Sequence, residues 1–132
     1  MEPPVEGDTR TVERTFTAAE VRQFGELSGD DQERHSAPDE EGRMLVQGLL
    51  TATIPTQIGS EEELLARRMT FEFHRPVYTG DHLTCTSTFE AVVEREDRFE
   101  VTTDVEIENE SGDTVLTGTT EGIVWKDDDV PV

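Results

Sequence analysis

Asp30 and His35 stand five residues apart in a polar segment, and they are the pair in this chain best suited to chemistry. A carboxylate and an imidazole brought onto one small molecule can grip a water. One group takes its proton while the other orients it or returns a proton. The pairing alone is a weak signal, because 31 of the 132 residues are Asp or Glu and an acid near a histidine arises by chance. Its placement says more. Asp30 falls just after a predicted helix, where the dipole disfavours negative charge. A purely stabilising arrangement avoids that position, whereas a catalytic base tolerates it.

Other chemistry-bearing residues give weaker patterns. His74 and His82 lack the spacing of metal ligands, so no metal site is expected. Arg67, Arg68 and Arg75 form a rare basic cluster, suited either to phosphates or to pairing with nearby glutamates. Cys85 is the only cysteine and sits in a strand-like run, which reads as a reduced core thiol. No Gly-rich phosphate loop, nucleophile elbow or Cys–His arrangement is present.

The elements that must position the pair are well marked. Thr17 is a suitable N-cap, Glu20 completes a capping box, and Phe16 and Val21 occupy the staple positions. Val21, Phe24 and Leu27 predict one apolar stripe on this helix, and Gly29 ends it. Residues 30–43 are polar and read as a loop. Residues 44–58 are apolar nearly all round, which predicts a buried central helix that Pro55 kinks or divides near its end. From there the period becomes two. Met69, Phe71 and Phe73 alternate with polar residues, as do Leu83 to Ala91 and Phe99 to Ile107, and a last strand covers about 114–126. Turn residues at Thr79-Gly80-Asp81, Glu94 to Asp97 and Ser111-Gly112-Asp113 predict antiparallel hairpins. The order is strand, helix, long loop, buried helix and four strands. That is an α+β layout, with an antiparallel sheet wrapped around one central helix in the hot-dog manner. Residues 1–8 read as a disordered tail, 9–126 as one domain and 127–132 as an acidic C-terminal tail.

Thirty-one acids against eleven basic residues give a net charge of −20, and Lys126 is the sole lysine. Such a field repels nucleic acid and anionic membrane, so neither is an expected partner. No apolar run approaches the ~20 residues of a membrane span. The acidic, proline-bearing N-terminus is unlike a signal peptide, so the expected location is the cytoplasm. The patterned apolar residues argue for a folded domain whose surface carboxylates hold hydrated cations, as in proteins of halophilic origin.

The run Phe24-x-x-Leu27-Ser28-Gly29-Asp30-x-x-x-x-His35 resembles the signature of MaoC-like dehydratases and (R)-specific enoyl-CoA hydratases. Val46 to Ala52 is similar to the start of that family's central helix, and Phe73-x-Arg75-Pro76-Val77-x-x-Gly80-Asp81 is similar to a further stretch of it. The segments lie within 24–81, the resemblance as a whole covers about 14–124, and the chain looks like a divergent member of haloarchaeal type. The resemblance implies a homodimeric hot-dog protein that reversibly hydrates a trans-2-enoyl-CoA to the (R)-3-hydroxyacyl-CoA without a cofactor. It implies that Asp30 is the base, that His35 orients the water or assists proton delivery, and that the Gly48 N–H receives the thioester oxygen. Gln32, Gln47, Thr56 and Arg75 are the further candidates for substrate binding. The chain departs from the family's usual Asn-Pro at Gln32-Glu33 and from its usual His at Gln47, and its loop before Gly48 is shorter. Two alternatives stay open: a hot-dog acyl-CoA thioesterase, and a non-catalytic acyl-thioester-binding subunit. Thioesterases of this fold usually carry a carboxylate on the central helix, and 44–58 has none.

The charge reading is directly testable. Self-repulsion among surface carboxylates is screened by salt. The melting temperature is therefore expected to rise between dilute buffer and molar salt, and an unchanged value would contradict the high-salt reading.

Overall fold

A computed structural model describes residues 3–127. The elements are β1 (Thr9–Arg14), α1 (Ala18–Ser28), α2 (Glu33–Ser36), α3 (Gly48–Thr51), α4 (Thr53–Glu61), β2 (Leu65–Phe73), β3 (Leu83–Glu94), β4 (Arg98–Glu108) and β5 (Thr114–Trp125). The five strands form one antiparallel sheet in the order β1-β3-β4-β5-β2. The α+β, hot-dog expectation holds.

The alternation read from the sequence becomes the inner face of the sheet. Val101, Thr103, Val105 and Ile107 of β4 are buried, as are Leu83, Cys85, Ser87 and Phe89 of β3. Leu50, Ile54 and Ile58 of the central helix pack into the same core with Phe16, Val21 and Met44. Each such side chain contributes roughly 1.5–3 kcal/mol on burial. The outer face carries Thr84, Thr86, Asp104, Glu106, Glu108, Thr117 and Thr119 around a broad concavity of about 590 Å³. Like charges crowd there. The Glu106 carboxyl beside Glu108 pushes the latter's pKa up, and Asp104 does the same to Glu90. A carboxyl raised by folding favours the folded state at low pH and loses that contribution as pH rises through its folded pKa.

Four expectations change. Residues 44–47 are extended, not helical: Leu45 bridges Tyr78, and the Val46 N–H donates to the Val77 carbonyl at 2.8 Å. The central helix is divided at Ala52, a turn before Pro55. Proline lacks an N–H for the carbonyl four residues earlier and clashes with it, so the break falls on its N-terminal side. The segment through Thr79-Gly80-Asp81 is a crossover and not a hairpin, because β2 pairs with β5 while β3 pairs with β1 and β4. Finally, Met69 and Phe73 are exposed because β2 is a sheet edge, and Leu27 is exposed because α1 buries Val21 and Gly25 instead.

At the N-terminus, the Gly7 N–H donates to the Phe89 carbonyl at 2.8 Å, so the segment read as a tail continues the β1–β3 pairing. The rest of that expectation, at 1–2 and 128–132, lies outside the described residues. No helix among the described residues is long and apolar enough to cross a membrane.

Cys85 is fully buried on the inner face of β3, and desolvation of the thiolate pushes its pKa up to about 12. A thiol reagent is expected to leave the folded protein unmodified and to label Cys85 stoichiometrically on unfolding. Rapid labelling in the folded state would contradict this packing.

Candidate functional site

The site begins at the end of α1. Thr17 and Glu20 form the predicted capping box: the Glu20 N–H donates to Thr17 Oγ1, and the Thr17 N–H donates to Glu20 Oε1 at 2.9 Å. That backbone donor, aided by Arg14, holds the Glu20 carboxyl below its usual range. At the other end Gly29 takes a left-handed conformation, φ 79°, which a side chain would strain. The turn delivers Asp30, whose N–H donates to Ser28 Oγ at 3.1 Å. The Gln32 amide donates to Asp30 Oδ1 at 3.3 Å, so the side chain of Gln32 reaches the carboxylate.

Gln32 also stands at the N-cap position of α2, the single turn that carries His35, without a side-chain capping bond. His35 is buried, and its Nδ1 lies 2.7 Å from the Leu45 carbonyl. A carbonyl can only accept, so Nδ1 carries the hydrogen and Nε2 of the neutral ring keeps a free lone pair. That Nε2 lies 3.8 Å from Asp30 Oδ1. The gap is too long for a direct hydrogen bond and suits a water held by both groups. The structure thus brings together the two residues that the sequence singled out.

Gln47 takes a different place from the expected one. It is fully buried, and its amide donates to the Val21 carbonyl at 2.9 Å and the Asp30 carbonyl at 3.3 Å. It therefore ties α1 and the Asp30 turn to the residue just before Gly48, and does not line the cleft. Thr56 is also removed from the site. It is exposed and donates to the Ala52 carbonyl at 3.1 Å, because the break at Ala52 interrupts the helical face it was expected to share with Gly48. Gln32 acts on Asp30 and lies outside the cleft wall.

The cleft itself has a volume of about 300 Å³ and is walled by His35, Leu45, Val46, Gly48, Thr51, Phe73, His74, Arg75, Pro76, Val77 and Val115. Gly48 opens α3, so its N–H has no partner within the helix. A Cβ at Gly48 would sit 3.0 Å from the Phe73 ring, so glycine lets that ring close over the helix start. Arg75 lines the cleft with no carboxylate within ion-pair distance among the described residues, while Arg68 approaches Glu121 at 3.9 Å. His82 faces Glu13 and His74 bonds Thr117. No group of three or more His, Cys, Asp or Glu among the described residues is placed to hold a metal ion.

Three features escaped the sequence reading. The Leu45 carbonyl fixes the His35 tautomer, which no side-chain pattern records. Phe73 was assigned to the core and instead covers Gly48. Thr51 lies three residues after Gly48, a spacing that would have flagged it on the same helix face.

A family model described as the FAS1-like dehydratase domain region matches residues 43–118, more than half of the chain. The match includes Gly48 and the Phe73–Asp81 stretch and begins after His35. No curated protein matches the chain in sequence. Among solved structures, the (R)-hydratase of A. caviae involved in PHA biosynthesis superposes with a TM-score of 0.80 at 24% identity, over 92% of this chain and 98% of that one. An unliganded (R)-hydratase from Pseudomonas aeruginosa gives 0.77 at 19% identity, over 98% and 92%. A 3R-hydroxyacyl-ACP dehydratase complex from Mycobacterium tuberculosis gives 0.70 at 17% identity, over 94% and 100%. At these identities the structural likeness speaks for the fold. The sequence match, the motifs and the architecture together make this chain a member of the FAS1-like dehydratase-region family, with the hot-dog fold of the (R)-hydratases and MaoC-like dehydratases.

Proposed function

We propose that the chain is a hydro-lyase that adds water reversibly to a trans-2-enoyl-CoA to give the (R)-3-hydroxyacyl-CoA. The observation that carries this reading is the 3.8 Å gap between His35 Nε2 and Asp30 Oδ1, with Nδ1 engaged by the Leu45 carbonyl. Two acceptors at that separation fit the two hydrogens of one water. His35 orients it, and Asp30 takes its proton as the oxygen bonds to the β-carbon. The π electrons of the alkene shift through the α-carbon to the thioester oxygen. The Gly48 N–H, at a helix start, receives that oxyanion. The proton passes from Asp30 to the α-carbon on the same face, and the carbonyl re-forms. The sum is H and OH added across the double bond, with the enzyme regenerated and no metal or redox group required. Arg75 at the cleft suits the phosphates of coenzyme A.

The family match and the names of the solved relatives support a hydratase or dehydratase. A carboxylate on the central helix, expected of a thioesterase, is absent near the cleft: Glu61 lies at the far end of α4 and pairs with Arg10 at 2.7 Å. Exposed Met69 and Phe73 on the edge strand β2 support a second copy covering that edge.

Crotonyl-CoA in molar salt tests the reading, with loss of the enoyl absorbance and release of free thiol followed together. Hydration without thiol release is expected, and Asp30→Asn or His35→Ala should each lower kcat/KM by roughly 10²–10⁴-fold. Thiol release would instead mean a thioesterase, and hydration that survives both substitutions would remove the dyad from the mechanism. Sedimentation should give a mass twice the 14.8 kDa of the chain, and Phe73→Asp should return it towards the monomer.

A further inference from the structure

Three threonines follow Gly48 along the divided central helix, and two behave as helical threonines usually do. Thr53 Oγ1 donates to the Leu50 carbonyl at 2.6 Å, and Thr56 Oγ1 donates to the Ala52 carbonyl at 3.1 Å. Thr51 departs from this habit. Its N–H donates to the Gln47 carbonyl at 3.0 Å, so the same carbonyl stands one turn behind it, where a threonine hydroxyl ordinarily turns. Its hydroxyl bonds neither that carbonyl nor any other group among the described residues, although the residue is only 2% exposed. Buried hydroxyls without a partner are rare, because the desolvated donor is unfavourable until something accepts from it.

The location says what that acceptor is. Thr51 lines the cleft that also holds His35 and Gly48. Val46, Val77 and Val115 of the same cleft offer no polar side-chain atom, and its other polar side chains, His35, His74 and Arg75, make no bond to the Thr51 hydroxyl. Residues three apart share a helix face, and helical side chains lean towards the helix N-terminus. Thr51 therefore shares a helix face and a cleft with Gly48, whose N–H is the first free donor of that turn.

We propose that Thr51 is a second oxyanion donor: its hydroxyl and the Gly48 N–H together bind the thioester carbonyl oxygen of an acyl substrate. The inference rests on the enoyl-thioester reading for its ligand and adds a residue to it. It explains why the hydroxyl is left unpaired in the free protein. A donor already turned onto its own helix would have to break that bond as negative charge develops, whereas an unpaired one is ready for it.

The test compares Thr51→Val with Thr51→Ser in the full chain in molar salt. Removing one preorganised donor should lower kcat for crotonyl-CoA hydration by roughly 10²-fold. KM should change little, and serine should restore most of the rate. The melting temperature of Thr51→Val should equal or exceed that of the wild type, since a methyl replaces an unpaired hydroxyl. A binding readout accompanies the rates: the carbonyl stretch of bound butyryl-CoA, by difference infrared spectroscopy, should lie lower in the wild type and Thr51→Ser than in Thr51→Val. If the wild type hydrates and Thr51→Val matches it in rate and carbonyl frequency, the proposal is overturned and the hydratase reading stands. A lowered melting temperature with an unchanged carbonyl frequency makes the hydroxyl structural and also overturns it. If the wild type binds butyryl-CoA with a shifted carbonyl that Thr51→Val loses, yet hydrates nothing, the donor role stands and the hydratase reading fails. Absence of both binding and turnover overturns both.

Discussion

Residues 44–47 must be extended, and much of the site follows from how their backbone polar groups are paired. The Met44 N–H donates to Thr79 Oγ1 at 3.0 Å, the Val46 N–H to the Val77 carbonyl, and the Leu45 N–H to the Arg34 carbonyl at 3.0 Å. The Leu45 carbonyl then accepts from His35. This short strand is therefore gripped by the 77–79 segment on one side and by α2 on the other. Buried backbone groups demand such partners. Were these residues helical, as their apolar character suggests, Gly48 would lie inside a helix with its N–H already used. Extension ends at Gly48 and leaves that donor free at the rim of the cleft.

Gln47 adds the third restraint. Its two N–H donors are spent on carbonyls of α1 and of the Asp30 turn, while its own Oε1 has no partner among the described residues. Removing both donors would leave two carbonyls short of partners, each worth about 1–3 kcal/mol when buried. The family's usual residue here is His, and the amide of Gln47 shows what the position needs: a buried donor that fixes the Asp30 backbone relative to the helix start. Gln32 does the complementary task from outside by donating to the carboxylate itself. Of the residues that depart from that pattern, Gln32 and Gln47 each direct a donor at Asp30, one at its side chain and one at its backbone carbonyl.

What could be read from the sequence was what local chemistry dictates. The capping box and the terminator of α1 involve neighbours a few residues apart and formed as read, and the staple residues Phe16 and Val21 are both buried. The strict alternation of β4 requires one buried face, whichever strands flank it. The pair Asp30 and His35 was legible because a helix end, a five-residue spacing and a motif agreed. Two of the misreadings depended on a distant partner, and a third on where a local helix break falls. Residues 44–47 look helical until 77–79 is placed beside them. Phe73 looks like core until β2 proves to be an edge. Thr51 and Thr56 cannot be ranked from composition, because the break before Pro55 decides which of them faces the cleft.

The same distinction bears on the charge. An apolar interior with a carboxylate-rich outer face is compatible with the fold only while like charges tolerate one another across adjacent strands. Asp104 raises the pKa of neighbouring Glu90, and Glu106 that of Glu108, so the outer face is under electrostatic tension. The few basic residues relieve it locally, as Arg98 does at Asp97 and Glu100 and Lys126 at Glu94. Arg75 is spared that task, remaining without a carboxylate partner among the described residues where the cleft meets solvent. In a chain with nearly three acids for every base, an arginine at a cleft without a carboxylate partner keeps a positive charge suited to phosphate. On the enoyl-CoA reading proposed above, that arginine is where a phosphate would meet the protein, beside the Phe73 ring and the valines of the cleft.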